Sequence, residues 1–134
     1  MVSFLQIKNG TKTMTPSNGK DLQGGVYRTP KDLVLAINKI FPLSFDLACL
    51  EENRVLLLLP NYLEPDYLDF FTPERDSLKQ AWNQIDLKDF FWCNPPFNDL
   101  KTWSNKYKEE ALLGAKVLFL APNATGAKWY QNLV

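Results

Sequence analysis

Short apolar runs, each cut off within seven residues and separated by helix-type stripes, most restrict the folds open to this chain. Residues 43–49 are polar only at Ser44 and Asp46, residues 55–59 are uniformly apolar, and 90–93 and 117–120 repeat the pattern. Runs this short read as buried strands rather than helices. Two amphipathic stripes accompany them, one before the first run and one between the last two. Thr29-Pro30-Lys31-Asp32 reads as a helix start, with Thr29 as the N-cap, Pro30 in the first helical position and Asp32 in the third. Leu33, Val34, Ile37, Ile40 and Phe41 then recur at helical spacing until Pro42 closes the helix. Leu100, Trp103, Tyr107, Ala111 and Leu112 form the second stripe, with Asp99 as cap and Gly114 just past its end; residues 127–134 begin a third helix. Residues 60–75, with Pro60, Pro65 and Pro73 among aromatics, read as an irregular connection. Strands alternating with helices predict an α/β fold with a largely parallel sheet, in which ligands bind at the carboxyl ends of strands. Asp46 and Asn94 both fall there.

Bulk properties narrow the functional classes. With 134 residues and 46% hydrophobic content the chain suits one domain with a real core. Residues 1–25, rich in Gly, Ser, Thr, Asn and Lys, read as a flexible N-terminal arm, and 26–134 as the domain. Net charge is zero, which argues against tight autonomous gripping of phosphates but leaves room for a local basic groove. Histidine is absent, which removes the commonest general base and metal ligand. Cys49 and Cys93 sit in apolar surroundings, so neither a disulfide framework nor a metal site is expected, and a reducing cytoplasm fits. No apolar run approaches the roughly 20 residues of a membrane span.

Asn94-Pro95-Pro96-Phe97 is the string with chemical content. The lone pair of an aromatic amine is delocalised into its ring, so the nitrogen is a poor nucleophile. Acceptors around the amino group draw its hydrogens out of plane and localise the lone pair for attack on a methyl group. An Asn side-chain oxygen supplies one acceptor and the adjacent backbone carbonyl a second. Two prolines hold both in place before reaction, and an aromatic ring can stack on a base. The plain alternative is a rigid Pro-Pro turn after a strand, with Phe97 in the core. An Asn/Asp/Ser-Pro-Pro-aromatic string arises by chance roughly 3 times in 100,000 positions, so the motif counts as evidence but needs company.

That company is collinear. Tyr27-Arg28-Thr29-Pro30 is followed by Phe45-Asp46-Leu47-Ala48-Cys49, Asn53, Phe71-Thr72-Pro73-Glu74, Asp76-Ser77-Leu78, Trp82 and the Asn94 tetrapeptide. Leu120-Ala121-Pro122-Asn123-Ala124-Thr125 and Lys128-Trp129 complete the series. Over residues 27–134 this order resembles the phage-type DNA N6-adenine methyltransferases. The resemblance implies a Rossmann-like fold dependent on S-adenosylmethionine. It also implies double-stranded DNA as partner, a phage or prophage origin in a bacterial cytoplasm, and no metal. By the same resemblance Asn94, Pro95, Pro96 and Phe97 are the catalytic loop. Asp46 would receive the ammonium of the cofactor, Thr29-Pro30 its carboxylate at a helix N-terminus, and Asp76 its adenine amine or ribose; Asn94 also borders that site. Asn53, Tyr62, Phe71, Trp82, Trp103 and Trp129 read as structural.

The chain departs from that pattern in several places. Phe97 stands where tyrosine is usual, the stretch 54–69 is longer, and the glycine-rich loop of many methyltransferases is missing. Relatives continue past the Lys-Trp helix into further strands, so the sheet is expected to lack its last strands. Two alternatives stay open: the same fold acting on a protein glutamine or RNA adenine, and a non-catalytic form that binds DNA or a protein.

Overall fold

The computed structural model describes residues 4–7, 21–23, 26–27, 29–122 and 131. A parallel sheet organises them. Its strands are β1 (Phe4–Ile7), β4 (Leu43–Asp46), β5 (Phe90–Cys93) and β6 (Val117–Pro122), in the order β1-β6-β5-β4. The short strands β2 (Asp21–Gln23) and β3 (Val26–Tyr27) form a separate antiparallel pair. Among the described residues the longer helices are α1 (Lys31–Ile40) and α2 (Leu100–Leu112), and five short 3-10 turns lie in the connections.

Alternation along the strands divides the core into two layers, as expected when both faces of a parallel sheet are covered. Phe91, Cys93, Val117, Phe119 and Ala121 point into a cluster with Trp103, Tyr107 and Ala111 of α2. Tyr107 stacks on Phe119 with ring centroids 4.8 Å apart. Trp92, Leu118 and Leu120 point the other way, into a cluster with Val34 and with Leu33 and Ile37 of α1. β4 contributes Leu43 to the α1 layer and Phe45 to the α2 layer, and its register with β5 shifts between those two residues. The helix stripes do in part what their spacing predicts: Leu33, Val34 and Ile37 of α1 and Trp103, Tyr107 and Ala111 of α2 face the sheet, whereas Ile40, Phe41 and Leu112 of the expected stripes are exposed.

Several sequence expectations need correction. Thr29 does not cap α1: the helix begins at Lys31, Pro30 occupies the N-cap, and no side chain caps it. Residues 55–59 do not form a strand. Val55–Leu58 is a 3-10 turn that buries Val55 and Leu56 in the α1 layer and leaves Leu57 half exposed. A five-residue apolar run carries no period able to separate those outcomes. β4 stops at Asp46 rather than Cys49, because the chain turns there to bond with Phe71. The reading of 1–25 as an arm does not extend to residues 4–7, which pair in parallel with β6 from Phe4↔Phe119 to Ile7↔Pro122. Polar flanks hide that short strand in the composition. The helix expected over 127–134 lies outside the described residues apart from Gln131.

The irregular stretch 60–89 is held by side chains. Asp46 N–H donates to Asp69 O, and Phe71 N–H donates to Asp46 O, so Phe70-Phe71 extends the β4 edge by a single bridge. Farther on, Glu110 of α2 is buried and accepts from Asn83 N and Nδ2 (2.8 and 2.6 Å) and from Lys106 Nζ (2.6 Å). Lys106 also donates to Gln80 O and lies 5.3 Å from the Trp82 ring centre. This network fastens the 80–84 segment to α2, and so closes the α2 layer over Trp82, which is fully buried.

Candidate active site

Parallel strands deliver their carboxyl ends to one edge of the sheet, so β4 and β5 bring Asp46 and Asn94 together, 48 residues apart in sequence. Both side chains are buried, and both border a small cavity of about 120 Å³ with Thr29, Ala48, Asn53, Arg54 and Trp92. Asn94 Nδ2 donates to Thr29 Oγ1 at 3.0 Å. The hydroxyl that sequence reading assigns to a helix cap instead orients the Asn94 carboxamide, placing its nitrogen toward α1 and its oxygen on the opposite branch. Pro95, fully buried, locks the backbone that follows.

Asp46 is the electrostatic centre of this cavity. Its Oδ1 accepts from Ala48 N (3.2 Å) and its Oδ2 from Val55 N (2.7 Å). Burial nevertheless dominates and pushes its pKa up to about 7, against the lowering effect of those two bonds and of the Cys49 thiol, with Asp69 adding repulsion. A carboxyl in that condition ionises readily when a cation is placed beside it. Its two backbone bonds also shape residues 47–55, so Asp46 holds the loop as well as facing the cavity.

Asp76 lies elsewhere. It adopts a left-handed backbone (φ 53°), pairs with Lys79 at 3.6 Å and borders a second cavity of about 300 Å³. That cavity is walled by Leu47, Leu50, Phe71, Pro73, Pro96 and Trp103. Ala48 and Cys49 border both spaces, so the two lie on either side of one loop. Pro30 and Phe97 border neither. Phe97 packs, partly buried, against the α1 layer, which is the arrangement of the plain turn reading. Phe71 and Trp103, read from sequence as structural, are both core and cavity wall. Arg54 was not singled out by the sequence: within Glu-Glu-Asn-Arg it looks like part of a solvated turn, yet it is only 7% exposed.

Among the described residues no group of three or more His, Cys, Asp or Glu side chains is arranged to hold a metal ion. Nor is any described helix long and apolar enough to cross a membrane.

The model of one protein family, described as DNA N-6-adenine-methyltransferase (Dam), matches residues 12–134. The chain belongs to the Dam family. No curated protein and no solved structure matches it. Membership in the Dam family implies DNA adenine methylation as the chemistry and DNA as the substrate class. A methyltransferase family in turn implies S-adenosylmethionine as the usual methyl source. The Dam match spans both cavities and the loop between them.

Proposed function

We propose that this chain transfers a methyl group from S-adenosylmethionine to the exocyclic amine of adenine in double-stranded DNA, on a Rossmann-like scaffold. The observation that carries the reading is the convergence of Asn94, Thr29 and Asp46 on one cavity at the carboxyl edge of a parallel sheet, in a chain of the Dam family.

The residues suit the cofactor by their chemistry. Its amino-acid end needs an anion for the ammonium, and Asp46 supplies a buried carboxyl able to ionise near neutral pH. Its nucleoside end suits a mostly apolar space with an acidic acceptor, which describes the second cavity with Asp76. Thr29 and Pro30 set the N-terminus of α1 beside the first cavity. When bound, S-adenosylmethionine supplies an electrophilic methyl on sulfur.

The chain supplies the rest. A target adenine swung out of the duplex would place its amino group against Asn94 Oδ1 and the Pro95 carbonyl. Thr29 holds the Asn94 amide in one orientation, and Pro95-Pro96 holds the carbonyl, so both acceptors are in place before the nitrogen attacks. The amine loses one proton after it gains the methyl, and solvent takes it. Phe97 stacks on the base only if it leaves its seat in the α1 layer; otherwise it buttresses the loop from behind.

Label transfer from the cofactor to unmethylated DNA tests this. Asn94→Ala should lower the transfer rate by about 100- to 1,000-fold, as removal of one positioned polar group does, with a much smaller loss of cofactor affinity. Undiminished transfer by Asn94→Ala would sink the mechanism, and transfer to glutamine peptides or RNA in preference to DNA would sink the substrate.

A further inference from the structure

Arg54 carries a permanent charge and is only 7% exposed, and nothing in the methyl-transfer step above uses it. Its Nη1 donates to Glu51 O at 2.7 Å, and Nη2 lies 3.4 Å from the exposed carboxylate of Glu64. The guanidinium sits 4.7 Å over the Phe70 ring and has the Tyr62 hydroxyl as a further partner. Nε is buried and finds no acceptor among the described residues. A charged donor hidden from water without an acceptor is costly to keep, and such groups are uncommon unless a ligand or ordered water completes them. Arg54 also borders the smaller cavity beside Asp46 and Asn94.

We propose that Arg54 is the carboxylate-binding residue of the smaller cavity, holding the amino-acid end of the cofactor opposite Asp46. The proposal rests on S-adenosylmethionine being the cofactor. The amino-acid end is a zwitterion and needs one group of each charge at a fixed separation. The loop brings the two residues to one cavity: Val55 N–H donates to Asp46 Oδ2, so the residue following Arg54 is tied to the very carboxyl that would take the ammonium. The pairing with Glu64 does not block the role, since a carboxylate that is 65% exposed holds a guanidinium weakly against a competing anion. A planar fork with donors to spare suits a carboxylate better than a point charge does.

Calorimetric affinities for S-adenosylmethionine and its decarboxylated analogue, on the full chain and on Arg54→Gln, test the assignment. The wild type should bind the carboxylate-bearing ligand on the order of 10- to 100-fold more tightly, the effect of one charge-assisted contact. Arg54→Gln should erase most of that ratio while the analogue binds nearly as before. A purely structural role for Arg54 would weaken both ligands alike, and that result overturns the proposal. If Arg54→Gln does not fold, the ratio is read on Arg54→Met, which keeps much of the stem and loses the charge; a ratio equal to that of the wild type overturns the assignment. Equal wild-type affinities for the two ligands refute the Arg54 role and leave the cofactor reading standing. Binding of neither ligand by the wild type refutes both.

Discussion

The two cavities on either side of residues 48–49 differ in almost every physical respect. The smaller is bordered by buried polar groups from separate strands and loops: Asp46, Arg54 and Asn94, with Thr29. The larger is bordered by side chains that also belong to the α2-side core, including Leu47, Phe71 and Trp103, with Asp76 as its one acidic group. A buried charge is costly unless paired or hydrogen-bonded, so the smaller cavity takes its form from directed bonds. Apolar packing has no direction, so the larger takes its form from the shapes around it. Binding in the one should depend on pH and on single atoms, and in the other on volume.

Mutations that break this contrast should do so in a definite order. Phe71→Ala removes a buried ring that stacks edge-on against Phe45 at 4.9 Å and also borders the larger cavity. Denaturant unfolding should show a loss of up to about 5 kcal/mol, accompanied by weakened binding of adenosine; a cost under about 1 kcal/mol would mean the wall is not part of the core.

Asp46→Asn probes the polar side through pH. The folded pKa of Asp46 is raised from 3.8 to about 7 by burial, so the folded state holds its proton over a range in which the unfolded chain has lost it. Stability from this group is therefore full below about pH 4 and is lost as pH rises through 7, a change on the order of 4 kcal/mol at its full extent. Asp46→Asn should flatten that slope in thermal melts recorded from pH 5 to 8. Cofactor affinity in the wild type should rise across the same interval, because the ammonium selects the ionised carboxyl, and a pH-independent affinity would remove Asp46 from that role.

Thr29→Val is the smallest change. It keeps the shape and deletes the acceptor for Asn94 Nδ2, at a cost of about 1 kcal/mol in stability. The larger sign of it should be in turnover, reduced roughly tenfold, with a smaller change in cofactor affinity. A turnover equal to wild type would show that the Asn94 amide is oriented by something else.

How much of this was legible beforehand depended on whether a pattern repeats. β5, β6 and α2 follow from alternation and helical spacing, since each buries several residues in phase. Asp46 and Asn94 stand out because a polar side chain at the end of an apolar strand has few reasons to be there. Val55–Leu58 was misread because four apolar residues fit a buried turn as well as a strand. The role of Thr29 was hidden by a local explanation, since a threonine before proline looks like a helix cap whatever lies across the fold from it. Arg54 was illegible for a different reason. Burial of a charge in a loop is decided by Tyr62, Glu64 and Phe70, which the chain folds back to it, and no spacing announces that.

The pairing of β1 with β6 also sets a timetable. Residues 4–7 are made before the other strands of their sheet, yet their strand partner is residues 119–122. At ribosomal speeds of about 5–20 residues per second, on the order of ten seconds separate the two. Through that interval the earliest strand waits without its partner, and the β6–β5–β4 part of the sheet is the seed on which it finally lands. The first strand of this sheet to be synthesised thus docks only once β6 is made, and the growing polypeptide must keep it out of competing pairings until then.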